Sequence, residues 1–178
     1  IGGGMGFTFV KAIGGQIGTS LVEDDKLELA RELIIKAKDN GCNLLLPVDT
    51  LITKNFSDTP AERNCLIGEI PVGYMGLDNG PKSIDAVKKV LQNATTIIWN
   101  GPMGVFEFEN YASGTKTVAE AIAKSTENGA FSLIGGGDSV AAINKFGYAD
   151  KVSYISTGGG AMLEFLEGKV LPGVAALS

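Results

Sequence analysis

The sequence contains no histidine and only two cysteines, Cys42 and Cys65, in 178 residues. Without histidine, no Ser-His-Asp or Cys-His machinery is carried wholly within these residues, and acid–base work falls to carboxylates or lysines. The cysteines form no C-x-x-C pair, which disfavours structural zinc and a disulfide framework and points to a reducing, cytosolic compartment. Cations are also in short supply: 15 Lys and Arg stand against 20 Asp and Glu, a net charge of −5. With no cluster of Lys and Arg, nucleic acid is not an expected partner, because gripping a phosphate backbone requires one. No apolar run approaches the roughly 18 residues of a membrane span, so no membrane partner is expected either. Ile1 opens directly onto glycines with neither Met nor a charged leader before it, and the chain is expected to be cut there.

What remains describes one globular domain, 44% apolar and long enough to bury a core without staples. Its abundant residue is glycine: 25 of 178, about twice the usual level near 7%. Periodicity predicts a short helix from Met5 to Ile13 and a longer one from Asp24 or Asp25 to Asp39, closed by Asn40-Gly41. Asn43 to Leu46 reads as a strand buried on both faces, ended by Pro47-Val48-Asp49, and Thr53 to Leu66 as irregular. Gly73 to Pro81 reads as turns, followed by a helix on Ile84, Val87, Val90 and Leu91. Thr95 to Trp99 and Phe131 to Ile134 read as strands around a helix whose apolar face is Val118, Ala119, Ile122 and Ala123. A helix from Ser139 to Phe146, a strand from Val152 to Ile155 and a helix from Ala161 to Leu166 follow. This alternation predicts an α/β fold, a doubly wound and mostly parallel sheet with helices on both faces, in a Rossmann-like three-layer arrangement.

The glycines fall at particular joints. I-G-G-G-M at Ile1, L-I-G-G-G-D-S at Leu133 and I-S-T-G-G-G-A at Ile155 each place three glycines between a strand end and a helix start. A helix start offers unpaired N–H groups and the positive end of a dipole, and glycine lets an anion reach them. Any one such triplet is as well explained by a tight turn, but three together favour phosphate or nucleotide. Known phosphate motifs do not match. The only Gly-Lys pair, Gly168-Lys169, is followed by Val170, which excludes a P-loop. The dinucleotide fingerprint fails because Phe7 and Val140 stand where its last glycine is needed. Gly137 to Ala141 is a poor nucleophile elbow, with Ala for the second Gly and no histidine as base.

Asp138, between a glycine turn and a helix, either caps the helix or holds Mg²⁺ beside a polyphosphate, and for an isolated Asp the cap is the stronger reading. Ser139 is an equal candidate for the cap. Asn100 and Glu107 flank W-N-G-P-M-G-V-F-E, at a strand's carboxyl end where open parallel sheets bind ligands.

Trp99 to Glu107, Leu133 to Ser139 and Ile155 to Ala161 together closely resemble phosphoglycerate kinase. I-G-G-G-M-G-F-T-F at Ile1, L-P-V-D at Leu46, G-L-D-N-G-P at Gly76 and L-E-G-K-V-L-P-G-V at Leu166 extend the likeness, in order, over the whole chain. The resemblance implies a monomeric cytoplasmic enzyme of glycolysis. Two α/β domains close to move a phosphoryl group between 1,3-bisphosphoglycerate and ADP, giving 3-phosphoglycerate and MgATP. Residues 1–178 correspond to its carboxyl-terminal, nucleotide-binding domain without the first strand-loop-helix segment, and the amino-terminal substrate domain is absent. By motif, Gly2 and Gly3 with Gly76 and Leu77 wall the adenine, and Asn100 and Glu107 face the ribose. Gly136, Gly137, Asp138 and Ser139 meet the nucleotide phosphates, with Asp138 toward Mg²⁺ as the metal ligand. Gly137, Gly159 and Gly160 are the catalytic candidates, Thr157 to Gly160 offering N–H groups to the moving phosphoryl. ADP or ATP with Mg²⁺ is the implied ligand.

Departures from the family pattern are specific. Its G-G-[AS]-K segment, expected just before Ile1, is missing, and no Lys or Arg lies within the three glycine motifs. Positive charge for the transfer would come from the absent half, so these residues alone are expected to be inactive. Ser139 replaces a common Thr, and Tyr154 stands where His is frequent. The rival readings are a stand-alone nucleotide-binding regulatory module and an NAD-linked oxidoreductase, the latter disfavoured by the failed fingerprint.

Overall fold

Residues 1–176 are described by a computed structural model. In chain order the elements are α1 (Gly3–Ala12), β1 (Gln16–Ile17), α2 (Leu27–Asp39), β2 (Asp49–Thr53), β3 (Arg63–Leu66), β4 (Glu69–Ile70) and β5 (Met75–Asn79). Then come α3 (Pro81–Leu91), β6 (Thr96–Asn100), α4 (Ser113–Glu127), β7 (Phe131–Gly135), α5 (Gly137–Lys145), β8 (Tyr154–Ile155), α6 (Gly159–Leu166) and α7 (Pro172–Ala175). Two compact units result: Ile1–Val90 with Pro102–Val118, and Leu91–Gly101 with the chain from Ala119 onward.

In the first unit α1 is buried on nearly all sides. Phe7 and Val10 join Ile17, Ile52, Ile67 and Ile70 in one core, while Phe9 and Ala12 meet Ala30 of α2 in another. Its sheets are small. β1 pairs in parallel with β4, and β2 lies between β3 and β5 with both pairings antiparallel. That antiparallel sheet is a correction in detail. β3 occupies a stretch read as irregular, β5 one read as turns, and β2 begins at Asp49, where a strand was expected to have ended. Residues 43–46 form no strand. Leu44 and Leu46 instead pack on the Phe9–Ala12–Ala30 core.

β2 escapes a reading by hydropathy because three of its four buried residues, Asp49, Thr50 and Thr53, are polar. Asp49 accepts hydrogen bonds from Asn64 Nδ2, from Lys82 and Ser83 N–H, and from Ser83 Oγ; Thr50 Oγ1 donates to the Asp78 carbonyl. Burying a polar strand is tolerable once each group has such a partner.

The second unit follows the sequence closely. β6, β7 and β8 form a parallel sheet in that order, with Asn100 opposite Gly135 at the carboxyl ends of β6 and β7. α4 connects β6 to β7 and α5 connects β7 to β8, the crossovers that parallel strands require. The fold is therefore α/β and Rossmann-like, as the alternation predicts, with an antiparallel sheet added in its first unit.

Candidate functional site

In the first unit the site is assembled around the start of α1. Gly2 is its N-cap residue and no side chain caps it, so the first N–H groups of the helix are open. Gly3 has φ +59°, which favours glycine, and its backbone lies on the Pro102 carbonyl: a Cβ there would stand 2.6 Å from that oxygen. A Cβ on Gly2 would meet the Met103 sulfur at 2.9 Å and Asn79 Nδ2 at 3.2 Å. The loop at 102–106 thus packs on the glycines that open α1. It is fastened from two sides. Val105 N–H donates to the Leu77 carbonyl of β5 at 2.8 Å, and Met103 and Gly104 N–H donate to Thr115 Oγ1 of α4 at 3.1 and 3.3 Å.

Gly76 and Leu77, expected to wall an adenine, are buried in β5. Gly76 N–H donates to Ser20 Oγ, and its missing side chain is replaced by the Phe7 ring and Thr50 Oγ1. Packing alone therefore demands glycine at 76. Glu107 stands exposed at the end of the loop.

Asp78, between Leu77 and Asn79, passed unremarked in the sequence reading. The residue is 2% exposed, and its carboxylate accepts Asn79 N–H and Gly114 N–H, both at 2.8 Å. Burial outweighs these two bonds and pushes the group up to about 7. The signal available was a lone acid inside an otherwise buried G-L-D-N strand.

In the second unit two glycine turns meet back to back. Gly136, with φ +83°, precedes α5, and Gly158 precedes α6; neither helix has a side-chain cap. A Cβ on Gly159 would stand 2.6 Å from Gly136 Cα, and one on Gly136 would strike the Asn100 carboxamide. Asn100, Gly136 and Gly159 are therefore brought together by close backbone approach. Met162 of α6 lies over Gly135, where a Cβ would come within 2.6 Å of its sulfur. At Gly137 and Gly160, in contrast, a side chain would enter open space. Packing explains the first pair of glycines and leaves the second pair unexplained.

Asp138 lies in the first turn of α5, exposed, and its carboxylate makes no hydrogen bond among the described residues. The cap reading is thereby corrected: the N-cap position belongs to Gly136. Ser139 is no cap either. It is fully buried, and its hydroxyl accepts Gly101 N–H at 2.6 Å, fastening the end of β6 to α5. Thr157 and Gly158 are exposed ahead of α6. Asn100 and Glu107, both expected at a ribose, belong to different units.

As for a metal, no group of three or more His, Cys, Asp or Glu side chains among the described residues is arranged to hold one. A single free carboxylate beside open helix N–H groups suits an ion that arrives with a phosphate ligand, since Mg²⁺ is commonly held by one or two carboxylates plus substrate oxygens. No helix of the described residues is long and apolar enough to cross a membrane.

The family model for phosphoglycerate kinase matches residues 1–169. The chain is 59% identical over 175 residues to the phosphoglycerate kinase of Porphyromonas gingivalis, covering 98% of this chain and 42% of that protein. It is 58% identical over 177 residues to that of Acaryochloris marina, covering 99% and 44%. Among solved structures, phosphoglycerate kinase from Coxiella burnetii superposes with a TM-score of 0.89 at 44% identity, over 95% of this chain and 43% of that one. The enzyme from Pyrococcus horikoshii gives 0.78 at 34% identity, over 99% and 44%. The chain thus spans less than half the length of the relatives it matches.

Proposed function

Because the chain belongs to the phosphoglycerate kinase family, we propose that it is the nucleotide-binding part of a cytoplasmic, monomeric phosphotransferase of glycolysis. The reaction moves a phosphoryl group between 1,3-bisphosphoglycerate and ADP, giving 3-phosphoglycerate and MgATP, and the acid substrate is held by a separate amino-terminal domain. The observation that carries this reading is the pair of uncapped helix starts at Gly137 and Gly159, joined through Gly136, with the free Asp138 carboxylate beside them.

In this reading the N–H groups of Gly137, Asp138 and Ser139 donate hydrogen bonds to phosphate oxygens, and those of Gly159 and Gly160 face the moving phosphoryl group. Mg²⁺ comes with the nucleotide and is met by Asp138. Ser139 acts through its backbone, because its hydroxyl oxygen is engaged by Gly101. Asn100 and Glu107 face the ribose, and Gly2 and Gly3, with the edge of β5 at Gly76 and Leu77, bound the base. Phosphoryl transfer relies on positioning and charge stabilisation more than on covalent chemistry. Backbone donors therefore suffice here, with cations supplied from elsewhere.

The test is a calorimetric titration of ADP against the full-length chain and its Asp138→Asn variant, with and without Mg²⁺. The expected result is a loss of about tenfold or more with Mg²⁺ and little loss without it, since a hard cation prefers a charged oxygen. Equal losses under both conditions would remove Asp138 from the metal.

A further inference from the structure

We propose that Asp78 is a positioning residue of the nucleotide site: its buried carboxyl group holds the loop at 102–106 against Gly2 and Gly3, and losing its proton loosens that loop. The inference rests on the nucleotide reading above and adds to it a residue and a pH response.

The loop has two supports, β5 and the start of α4, and Asp78 is the link between them. Its own strand supplies the Leu77 carbonyl that receives Val105 N–H. Across from it, Oδ2 accepts Gly114 N–H, which fixes the first turn of α4 and so sets Thr115, whose fully buried hydroxyl oxygen receives Met103 and Gly104 N–H. Gly104 presses directly on Asp78, where a Cβ would stand 2.7 Å from Asp78 Cα, and Gly114 does the same, with 3.0 Å to Asp78 Cγ. No side chain longer than hydrogen fits at either place. Met103 and Pro102, held in this way, are the residues that cover Gly2 and Gly3.

A carboxylate in this position is not there for an ion pair. Its neighbours are Gly104 of the loop, Gly114 of α4, Asn79 of its own strand and Thr50 of β2, none of them charged. The other buried acid of the unit, Asp49 on β2, is turned to Lys82 and Ser83 backbone N–H groups of α3. Only burial and the two N–H bonds act on Asp78, and the balance leaves it titrating near neutrality. Both of its oxygens accept a hydrogen bond when ionised. The protonated acid keeps acceptor capacity for both N–H groups, whereas loss of the proton leaves an unpaired charge buried beneath Gly104 and Gly114, a cost that parting of the loop from β5 relieves.

The experiment measures adenosine binding by calorimetry across about pH 6 to pH 8, in the full-length chain and in Asp78→Asn. Adenosine carries no phosphate to titrate in that range. Backbone amide exchange at Met103, Gly104, Val105 and Gly114 is followed in parallel. In the wild type, affinity is expected to weaken about fivefold toward the alkaline end, and exchange of the loop amides, corrected for its intrinsic pH dependence, to quicken with it. Asp78→Asn, neutral at every pH, is expected to bind at the stronger level throughout, with no pH step and with slow loop exchange throughout. The same pH profile in both proteins overturns the proposal alone. Adenosine that binds neither protein at any pH overturns the nucleotide reading and this proposal with it. If Asp78→Asn does not fold, the wild type still decides: a flat affinity profile across the range refutes the release of the loop.

Discussion

Two buried carboxylates in one unit respond to pH in opposite directions. Burial raises Asp49, but the Asn64, Ser83 and Lys82 donors more than offset it and hold the group below 3.8. A folded-state value lower than the unfolded one means that Asp49 contributes stability above about pH 4, and that this is lost as the pH falls through the folded value. Asp78 is raised from 3.8 to about 7, so its folded state prefers the proton. Stability from this group is greatest below about pH 4, falls as pH rises toward 7, and is flat beyond. Denaturant midpoints measured from pH 4.5 to pH 8 should therefore decline less steeply with rising pH in Asp78→Asn than in the wild type; an unchanged slope would place Asp78 in contact with water. Asp49→Ala should destabilise by about 2 to 3 kcal/mol at neutral pH, because it strands the Lys82 and Ser83 N–H groups in the interior. A loss under about 0.5 kcal/mol, the level of an ordinary surface substitution, would show those donors turning to solvent.

At the scale of elements, glycine carries two different messages that a bare motif does not separate. Gly159→Ala would drive a methyl group into the Gly136 backbone. It should lower stability by about 1 to 3 kcal/mol, as overpacking does, and weaken nucleotide binding with it. Gly137→Ala meets open space within a helix turn. It should leave stability unchanged or raise it by about 0.5 to 1 kcal/mol, while ADP affinity falls if phosphate approaches that backbone. Thermal melts and ADP titrations on the two variants separate packing from approach; unchanged affinity in Gly137→Ala would remove position 137 from the site. The second unit was legible in the sequence because its strands are apolar and β-branched, as in T-I-I-W and F-S-L-I. The antiparallel sheet of the first unit was not, because D-T-L-I-T and M-G-L-D-N hide polar groups that only tertiary partners satisfy. For the same reason Asp78 and Thr115 escaped notice. Neither lies in a recognisable catalytic pattern, and their importance comes from which backbone N–H groups they receive.

At the scale of the molecule, charge separates what these residues can do from what the reaction needs. The chain carries a net charge of −5, and no Lys or Arg stands within the two glycine turns that face phosphate in the proposed function. Backbone N–H groups and a helix dipole, with an effective charge of about half a unit, orient a polyphosphate but do not neutralise the charge that develops as a phosphoryl group moves. In the proposed function, Mg²⁺ brought by the nucleotide supplies part of that neutralisation, and Asp138 orients the ion without contributing positive charge. A polypeptide of residues 1–178 alone should therefore bind MgADP measurably while showing no turnover in a coupled assay with 3-phosphoglycerate and ATP. Adding the complementary remainder of the family chain should restore turnover, and the restored rate should fall as salt screens the attraction between a basic partner and this acidic half. Turnover by residues 1–178 alone at about 1 to 100 per second, the ordinary range of kinases, would mean that the backbone donors and the ion are sufficient, and would overturn the division of labour between the two halves.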